Sequence, residues 1–339
     1  MSDDGGLGSI PLFEGCSPEA LRALALRLTP RRLEAGERLM TQGEHGTFFV
    51  VLVSGEVAVT REGPDGAEQL ATVGAGSILG ELALLRRRAR SATVAPTVRS
   101  DVLTGESDAF DALLELPGVH DRIRRLVSAR LAQGVHPAHA TLPSGTPLLL
   151  RPLLPSDRPA IATAVREMSE ESLRRRFFTG GQPSQRTIDY LVEIDYVDHF
   201  AWLVLEDDKQ PEGVATTRYI RRHDERDVAE VAFAVKDAFQ GHGIGTLMLG
   251  AIAAAASVTG ISRFTASLLS DNAPMRAVLA KASASFFFEE PGVTGASLAV
   301  GDAISLLDDD VRRALQAAAR DVVTAAGLAL TRPASETST

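Results

Sequence analysis

The stretch Gly80-Glu81-Leu82-Ala83-Leu84-Leu85, followed by Arg90-Ser91-Ala92-Thr93, is the most informative part of this chain. A carboxylate and an arginine lie nine residues apart on either side of a short apolar turn. A glycine allows a tight backbone and leaves main-chain amides free to face a ligand. Glu81 can accept from a sugar hydroxyl, and Arg90 can fork onto a phosphate. The pattern therefore suits a small ligand with a hydroxyl at one end and an anion at the other.

The spacing alone would favour a plainer interpretation, a short amphipathic helix with solvated arginines. The residues upstream change that balance. A glycine turn at 43–46 precedes the apolar run 48–53, and the run 54–59 follows after a second glycine turn. Strand, glycine turn and strand in this rhythm predict an antiparallel β jelly roll.

These residues resemble the phosphate-binding cassette of cyclic-nucleotide-binding domains, and the resemblance covers residues 10–135. It implies a jelly-roll domain with flanking helices in which Glu81 meets the ribose 2′-hydroxyl and Arg90 with Ser91 meets the cyclic phosphate. Ala89 stands where that family usually has proline. Cyclic AMP is the expected ligand, with cyclic GMP left open. The residues assigned to the nucleotide are Ile78, Leu79, Gly80, Glu81, Leu82, Ala83, Arg90, Ser91 and Ala92.

Composition bounds the class of protein. The 339 residues predict about two domains, and 45% hydrophobic with 23% charged residues is ordinary for globular proteins. A net charge of −9 argues against nucleic-acid binding. Cys16 is the single cysteine, and the acidic start has no signal-peptide core, so we expect a cytoplasmic protein. His136 and His139 have no third ligand nearby, so no metal site is predicted.

The Pro/Gly/Ser-rich segment 136–146 predicts a linker. Residues 147–300 then alternate between strand and helix patterns, which predicts an α/β domain around a mixed, mainly antiparallel sheet. Residues 301–339 form a tail whose pattern predicts an amphipathic helix at about 308–326. Two interpretations of this tail stay open: a regulatory lid over the substrate cleft, or a packed terminal helix.

The loop Gln240-Gly241-His242-Gly243-Ile244-Gly245 lies between a predicted strand and a predicted helix. Its glycines can turn amides toward an anion, and the helix start adds partial positive charge, so a pyrophosphate would fit. A tight strand-to-helix turn is the commoner cause of such a loop. A nicotinamide site needs G-x-G-x-x-G in a parallel unit, and a P-loop needs Gly-Lys-Ser/Thr. Neither pattern is present.

Q-x-x-G-x-G after a strand resembles the coenzyme A signature of GNAT acetyltransferases, and Asn272 follows the next strand as in many of them. The runs 172–178 and 195–200 resemble bacterial protein acetyltransferases. The two domains in this order resemble the cyclic-AMP-regulated protein lysine acetyltransferases of actinobacteria, whose substrates include acyl-CoA synthetases. The resemblance implies acetyl-CoA binding by Val231, Ala232, Phe233, Ala234, Val235, Gln240, Gly241, His242, Gly243, Ile244, Gly245, Thr246, Asn272 and Arg276.

Glu230 is the predicted general base, because a substrate ammonium must lose a proton before its nitrogen attacks a thioester. Its place ten residues before Gln240 matches the base of the resembled family, although a strand-end glutamate is more often a solvated charge. His242 is the rival, since its pKa suits the task. The helix predicted at 273–282 contains no tyrosine to protonate the thiolate, so water or the departing ammonium is expected to do so.

Two hypotheses of different class follow. The first is an acetyl-CoA-dependent protein lysine acetyltransferase, regulated by cyclic AMP and acting on acyl-CoA synthetases. The second is a scaffold that senses cyclic nucleotide and acyl-CoA without turnover. Glu230 and the complete Q-x-x-G-x-G loop favour the enzyme. A transcription factor is a weaker third, because nothing after residue 140 resembles a helix-turn-helix and the charge is wrong for DNA.

Overall fold

The structure is a computed structural model that describes residues 5–63, 66–86, 89–178 and 180–328. The chain divides into two compact units between Val127 and Ser128. Residues 329–339 of the predicted tail lie outside the described residues. Within the described ranges, no helix combines the length and the apolar character needed to cross a membrane.

The first unit is built from short strands with helices at both ends, and two 3₁₀ turns, Leu7–Ser9 and Pro11–Phe13, precede them. Its helices are α1 Pro18–Ala25, α2 Glu81–Arg86, α3 Ser107–Leu114 and the start of α4 Val119–Gln133. Its strands are β1 Thr29–Leu33, β2 Phe48–Ser54, β3 Glu56–Gly63, β4 Gly66–Gly74, β5 Ile78–Leu79, β6 Thr93–Pro96 and β7 Ser100–Glu106.

These strands form two antiparallel sheets, with strand orders β1-β7-β2-β5 and β4-β3-β6. Apolar side chains from both sheets, including Val50, Leu52, Val57 and Val102, pack into one core. Alternating burial along β6 and β7 is the pattern of strands with one face inward. The jelly-roll prediction for this half of the chain is confirmed.

The second unit alternates strands with helices and contains two further 3₁₀ turns, Pro155–Asp157 and Asp237–Phe239. Its helices are α5 Arg158–Glu167, α6 Glu170–Phe177, α7 Gln185–Val192, α8 Ile244–Val258, α9 Ala273–Ala280, α10 Val300–Ile304 and α11 Asp309–Leu328. Its strands are β8 Ala138–Thr141, β9 Pro147–Pro152, β10 His199–Glu206, β11 Gly213–Arg221, β12 Val228–Val235, β13 Arg263–Leu269, β14 Ser285–Glu290 and β15 Val293–Ala299.

One sheet runs through this unit in the order β14-β15-β13-β12-β11-β10-β9-β8. Its neighbours pair antiparallel except β12 and β13, which are parallel. That arrangement is the mixed, mainly antiparallel α/β sheet expected from the sequence, and the prediction is confirmed. The segment predicted as a linker, 136–146, contains β8, because Ala138 and Ala140 are buried and pair with β9.

Helix α8 is the centre of the core of this unit. Residues 248–256 are all buried, so the helix is apolar around its circumference. The fully buried Trp202 of β10 donates from Nε1 to the main-chain oxygen of Ala251 at 2.9 Å. Helices α6 and α7 are capped by serines, since the hydroxyls of Ser169 and Ser184 accept hydrogen bonds from the main-chain nitrogens of Ser172 and Thr187.

Asp157 immediately precedes α5 and fixes the turn that leads into it. Its carboxylate accepts from the main-chain nitrogen of Leu154 at 2.8 Å and pairs with both terminal nitrogens of Arg151 at 2.7 and 2.8 Å. The side chain therefore fixes the turn before α5 and the end of β9, and it makes no cap hydrogen bond to α5. A bidentate arginine competes well for a carboxylate that would otherwise accept from helix amides.

Gly250 on α8 is required by the close approach of Leu307, which lies in the turn between α10 and α11. A Cβ atom at this position would lie 2.6 Å from Cγ of Leu307, which is itself buried. We expect Gly250→Ala to lower the free energy of unfolding by about 1–3 kcal/mol, because overpacking outweighs the gain in helix propensity. Chemical denaturation of the full chain measures this.

Gly301→Ala is the matched control, since a Cβ on α10 at that position meets nothing within 4 Å. It should leave stability unchanged or raise it by up to about 1 kcal/mol. Leu307→Ala in the Gly250→Ala background should recover part of the loss. A Gly250→Ala protein as stable as the parent would show that the helices move apart without cost.

Candidate functional site

The glycine of the first motif is fixed by its surroundings. Gly80 joins β5 to α2 with φ of +83°, a backbone conformation that favours glycine. A Cβ atom there would lie 2.5 Å from Nη1 of Arg90 and 3.0 Å from the main-chain oxygen of Phe48. Glycine is therefore needed both for the turn and for the close approach of Arg90.

The arginine of this motif is buried and held by main-chain oxygens. Arg90 is 5% exposed, and its Nη1 and Nη2 donate to the oxygens of Gly80 at 3.0 Å and Phe48 at 2.7 Å. Burial lowers the pKa of Arg90, while the charges of Glu81 and Glu44 act in the opposite direction. Glu81 is 1% exposed at the start of α2. A buried guanidinium and a buried carboxylate thus lie close enough to interact.

The backbone of Arg90 is tied to the upstream glycine turn. Its nitrogen donates to the oxygen of Glu44 at 2.8 Å, and its oxygen accepts from Gly43 at 2.9 Å. Ala89, at the position where proline is usual, forms an isolated antiparallel bridge with His45. The two segments that the sequence singled out separately therefore form one structure.

The other predicted nucleotide-binding residues surround this pair. Ile78 and Leu79 are buried in the core, and Ala83, a residue of α2, is buried as well. Leu82 and Ala92 are half-buried and Ser91 is exposed. The predicted set thus divides into core residues that place the loop and the polar residues Glu81, Arg90 and Ser91 that offer hydrogen bonds.

In the second unit, β12 and β13 form an open cleft. They pair over three residues only, from Val228 opposite Arg263 to Glu230 opposite Thr265. Beyond Glu230 the two strands separate, while β12 remains paired with β11 as far as Val235. The β13-facing side of the β12 main chain is thus left for another partner.

The glycine loop lies at the end of this cleft. Gly241 and Gly243 have φ of +80° and +92°, and Gly243 precedes α8 without a side-chain cap. In the described part of the chain, the amides of Gly241, His242 and Gly243 donate no hydrogen bond. Unpaired amides at the start of a helix form an anion site, which supports the sequence prediction of a pyrophosphate site.

A cavity of about 400 Å³ brings most of the predicted coenzyme residues together. Its walls include Phe233, Ala234, Val235, Gln240, Gly241, Gly243, Ile244, Gly245, Thr246 and Asn272. Val231, Ala232, His242 and Arg276 do not line it. Val231 is buried in the core, and the guanidinium of Arg276 lies 4.3 Å from the centre of the Phe286 ring.

Gln240 and Asn272 line the cavity and also brace it through hydrogen bonds to its other walls. Gln240 donates from Nε2 to Ser172, Asp237 and the main-chain oxygen of Val235 at 3.0–3.2 Å. Asn272 accepts from the nitrogen of Met275 and caps α9. Burial acts to raise the pKa of Asp237, but hydrogen bonds led by that from Ser172 outweigh it and hold the pKa below its usual value.

Sequence reasoning missed several residues of this cleft. Lys281 lines it and donates from Nζ to Thr246 at 3.0 Å, and Ser172, Arg175 and Arg176 of α6 line it from the other side. The Ser172–Gln240 hydrogen bond joins residues 68 positions apart, so local pattern gives no signal for it. The sequence shows an arginine cluster in the last turn of α6, but it does not show that these side chains line the coenzyme cleft.

Glu230 lies on the sheet face that is shared with Ala232 and Ala234, at the point where β12 and β13 separate. Its side chain is exposed, and its electrostatic neighbours are Arg176, Tyr190 and Arg222. It lines neither of the two cavities described in this unit. A carboxylate in this place is open to an incoming amine.

The tyrosines divide into two groups. Tyr196 and Tyr219 are fully buried, and their hydroxyls donate to main-chain oxygens of Leu153 and Val197. Tyr190 is 47% exposed and stacks on His199, with ring centres 5.5 Å apart. Of the three, Tyr190 is thus the one open to solvent, and its pKa is raised chiefly by partial burial.

Comparison with known proteins agrees with both halves of this geometry. Residues 30–116 match the family model of the cyclic nucleotide-binding domain, and residues 147–285 match that of the acetyltransferase (GNAT) domain. Acetyltransferase Pat of Mycolicibacterium smegmatis is 38% identical over 287 residues, covering 85% of this chain and 86% of that protein.

A solved structure extends the match to the whole chain. The cAMP-binding acyltransferase from Mycobacterium smegmatis has a TM-score of 0.51 at 32% identity, covering 96% of this chain and 97% of that one. The CRP-like cAMP-activated global transcriptional regulator of Mycobacterium tuberculosis is 27% identical over 122 residues, which is 35% of this chain and 54% of that protein. The chain therefore belongs to the acetyltransferase family of Pat, acetyl-CoA-dependent acyltransferases in which a cyclic nucleotide-binding domain precedes a GNAT domain.

Proposed function

We propose that this chain transfers the acetyl group of acetyl-CoA to the Nε atom of lysine in a protein, and that cyclic AMP bound by the first unit regulates the transfer. The acceptor that we propose is an acyl-CoA synthetase, the substrate class implied by the resemblance to the actinobacterial enzymes. The single observation that carries the catalytic part is the position of Glu230, an exposed carboxylate at the point where β12 and β13 separate.

The reaction needs a neutral amine, and lysine is protonated near neutral pH. Glu230 accepts the ammonium proton, directly or through water. The amine nitrogen attacks the thioester carbon, a C–N bond forms, and the C–S bond breaks. Main-chain amides of β12 between Ala232 and Ala234 donate to the oxygen as its charge grows. The coenzyme thiolate leaves and takes a proton from water or from the substrate nitrogen, which carries an extra proton after its attack.

The glycine loop and Lys281 hold the coenzyme in this scheme. Unpaired amides of 241–243 and the start of α8 bind the pyrophosphate. Lys281 adds a positive charge at the same end of the cavity, beside Thr246. The pantetheine arm follows the free side of β12, which places the thioester near Glu230.

In the first unit, Glu81 and Arg90 are the proposed nucleotide ligands. Arg90 now donates to Gly80 and Phe48 oxygens, and a cyclic phosphate offers it stronger, charge-assisted acceptors. Exchange of these partners would change the loop that joins β5 to α2. A coupling free energy of about 1–3 kcal/mol between the two ligand sites is typical of such regulation.

We expect Arg90→Lys to weaken cyclic-AMP binding roughly 10- to 150-fold, because it removes a forked charge-assisted contact but keeps the charge. Calorimetry on the full chain measures this, with thermal unfolding to confirm that the variant is folded. Arg99→Lys is the matched control, since that arginine is 62% exposed in the same unit. Equal affinity in parent and Arg90→Lys proteins would remove Arg90 from the nucleotide site.

Glu230→Gln should lower the rate of acetyl transfer by roughly 100- to 10,000-fold while acetyl-CoA affinity stays within about twofold of the parent. Raising the pH should recover part of the rate, because free amine then forms without the base. Single-turnover transfer to lysate proteins, read as acetyl-lysine by mass spectrometry with and without cyclic AMP, measures this. Glu290→Gln, an exposed strand glutamate in the same unit, is the control.

Two results would change the proposal in different ways. Full activity of Glu230→Gln near neutral pH would make His242 the next candidate base. Tight binding of both ligands by the parent without acetyl-lysine in any lysate protein would favour the sensing scaffold over the enzyme.

We also propose the tail as the moving part. Helix α11 buries Leu315, Ala319 and Val322, and Gln316 donates to Ser257 of α8 at 3.1 Å. Deletion from Asp309 onward should raise the basal rate and shrink the response to cyclic AMP if α11 acts as a lid. A deleted protein that melts as one folded species, with both its basal rate and its response unchanged, would leave α11 as a packed terminal helix.

A further inference from the structure

A second cavity of about 590 Å³ lies beside the coenzyme cleft, and its charges do not balance. Its cationic walls are Arg151, Arg176, Arg218 and Lys236. Arg151 is paired with Asp157, and Lys236 with Glu212. Glu167, the remaining acid of the lining, is exposed and forms no ion pair within the described residues. Arg176 and Arg218 are therefore left without a carboxylate hydrogen-bond partner in that part of the chain.

Arg218 is the more buried of the two. It lies on the central strand β11 and is 3% exposed. Its Nη1 donates to the oxygen of Leu191 at 2.7 Å and lies 3.3 Å from Nε2 of His199. Burial, and next the charge of Arg218, lower the pKa of His199 to about 4, so its ring is neutral. Because arginine only donates, Nε2 is the acceptor, and the contact supplies no negative charge.

Arg176 brings a second positive charge to the same place. It ends α6, and its guanidinium carbon lies 5.1 Å from the centre of the Phe177 ring. Burial, and next the charge of Arg176, lower the pKa of Arg218 to about 9, which leaves Arg218 protonated near neutral pH. Glu230 acts on Arg176 with the opposite sign. Glu230 is the one carboxylate in the described chain that acts on Arg176, and none acts on Arg218.

Arg221, three residues further along β11 and on its opposite face, shows how this fold treats a structural arginine. It is 7% exposed, forms an ion pair with Asp198 at 2.9 Å and donates to the oxygen of Thr259 at 2.8 Å. A buried charge without such partners costs several kcal/mol. The contrast indicates that the counter-charge of Arg218 is brought by a ligand.

The position of the pair indicates which ligand. Met168, Arg176, Ala234 and Val235 are walls of both this cavity and the coenzyme cleft. Arg218 lies directly opposite Ala232 on β12, so it is a diagonal neighbour of Glu230 on the same sheet face. The group that lies past the coenzyme sulfur on this face is the acyl group itself. An acetyl methyl group would leave most of 590 Å³ empty.

We propose that this cavity is an acyl subsite for coenzyme A thioesters of short dicarboxylic acids, with the distal carboxylate bound by Arg176 and Arg218. The proposal deepens the acyltransfer function and rests on it. With succinyl-CoA, the lysine nitrogen attacks the thioester carbon, the C–N bond forms and the C–S bond breaks. Glu230 accepts one proton of the ammonium and releases it to water, and the nitrogen loses a second proton, which the thiolate takes, directly or through water, as it leaves. The products are N-succinyl-lysine and coenzyme A, with no oxidant or reductant required.

Binding of three thioesters to the full chain tests this without any acceptor protein. Succinyl-CoA and butyryl-CoA have acyl chains of the same length and differ in the distal carboxylate, and acetyl-CoA reports the coenzyme cleft alone. Calorimetry should show that the parent prefers succinyl-CoA over butyryl-CoA by at least tenfold. Arg176→Met and Arg218→Met should each reduce that preference about 10- to 100-fold, because each removes a charge-assisted contact.

Arg176 also lines the coenzyme cleft, so the readout is the ratio of the affinities for succinyl-CoA and butyryl-CoA, which a general loss of coenzyme binding leaves unchanged. Arg166→Met is the control, since Arg166 is exposed on α5 and absent from the cavity lining. Arg218 also donates hydrogen bonds to Leu191 and His199, so its loss could unfold the protein. Thermal unfolding of each variant therefore checks that it is folded before it is titrated. Arg176→Met carries the test if Arg218→Met does not fold, because the guanidinium of Arg176 makes no hydrogen bond within the described residues.

Equal affinity of the parent for succinyl-CoA and butyryl-CoA would overturn the proposal. So would variants that lose affinity for all three thioesters alike, since the pair would then support the fold or Glu230 alone. Transfer to lysate proteins separates this from the proposed function. Acetyl-lysine without succinyl-lysine rejects the subsite alone, whereas absence of both with intact binding rejects the transfer reaction.

Discussion

The separation of β12 from β13 after Glu230 is the constraint on which the second unit depends. A parallel pair that continued to Val235 would use the main-chain groups of β12 on both sides. Because pairing stops after three residues, one side of β12 is fixed by β11 and the other side is open. Unpaired main-chain groups inside a sheet are costly unless a ligand hydrogen-bonds to them. Bound coenzyme would therefore satisfy the groups that the cleft leaves unpaired.

Helix α8 keeps that cleft open. Its apolar surface is buried from Met248 to Ala256, and Trp202 is anchored to it by a hydrogen bond. A helix buried this completely cannot shift toward β13 to close the gap, since interiors are close-packed. Its exposed end, the glycine loop, is consequently held at the mouth of the cleft. The same helix thus sets both the width of the site and the place of its anion-binding amides.

Each of the two units contains a buried arginine with similar hydrogen-bond partners. Arg90 in the first unit and Arg218 in the second both donate to main-chain oxygens and lack a carboxylate hydrogen-bond partner in the described chain. Main-chain oxygens satisfy donors but carry only partial charge, so an anion is a stronger acceptor for either guanidinium. An anionic ligand is therefore the natural partner at both places. Arg221 differs from both, because its charge is balanced by an ion pair with Asp198.

The sequence by itself determined the two domains, their order and the polar residues of both motifs, because Gly80, Glu81 and Arg90 and the loop from Gln240 to Gly245 are local patterns. The caps of α6 and α7 are local in the same way, since Ser169 and Ser184 bond to main-chain nitrogens three residues later. The sequence could not assign Gln240 to a bracing role, include Lys281 in the cleft or bring Arg176 near Arg218. Those depend on contacts between residues far apart in the chain, and only the packing of α6 against the sheet and the register of β11 with β12 decide them.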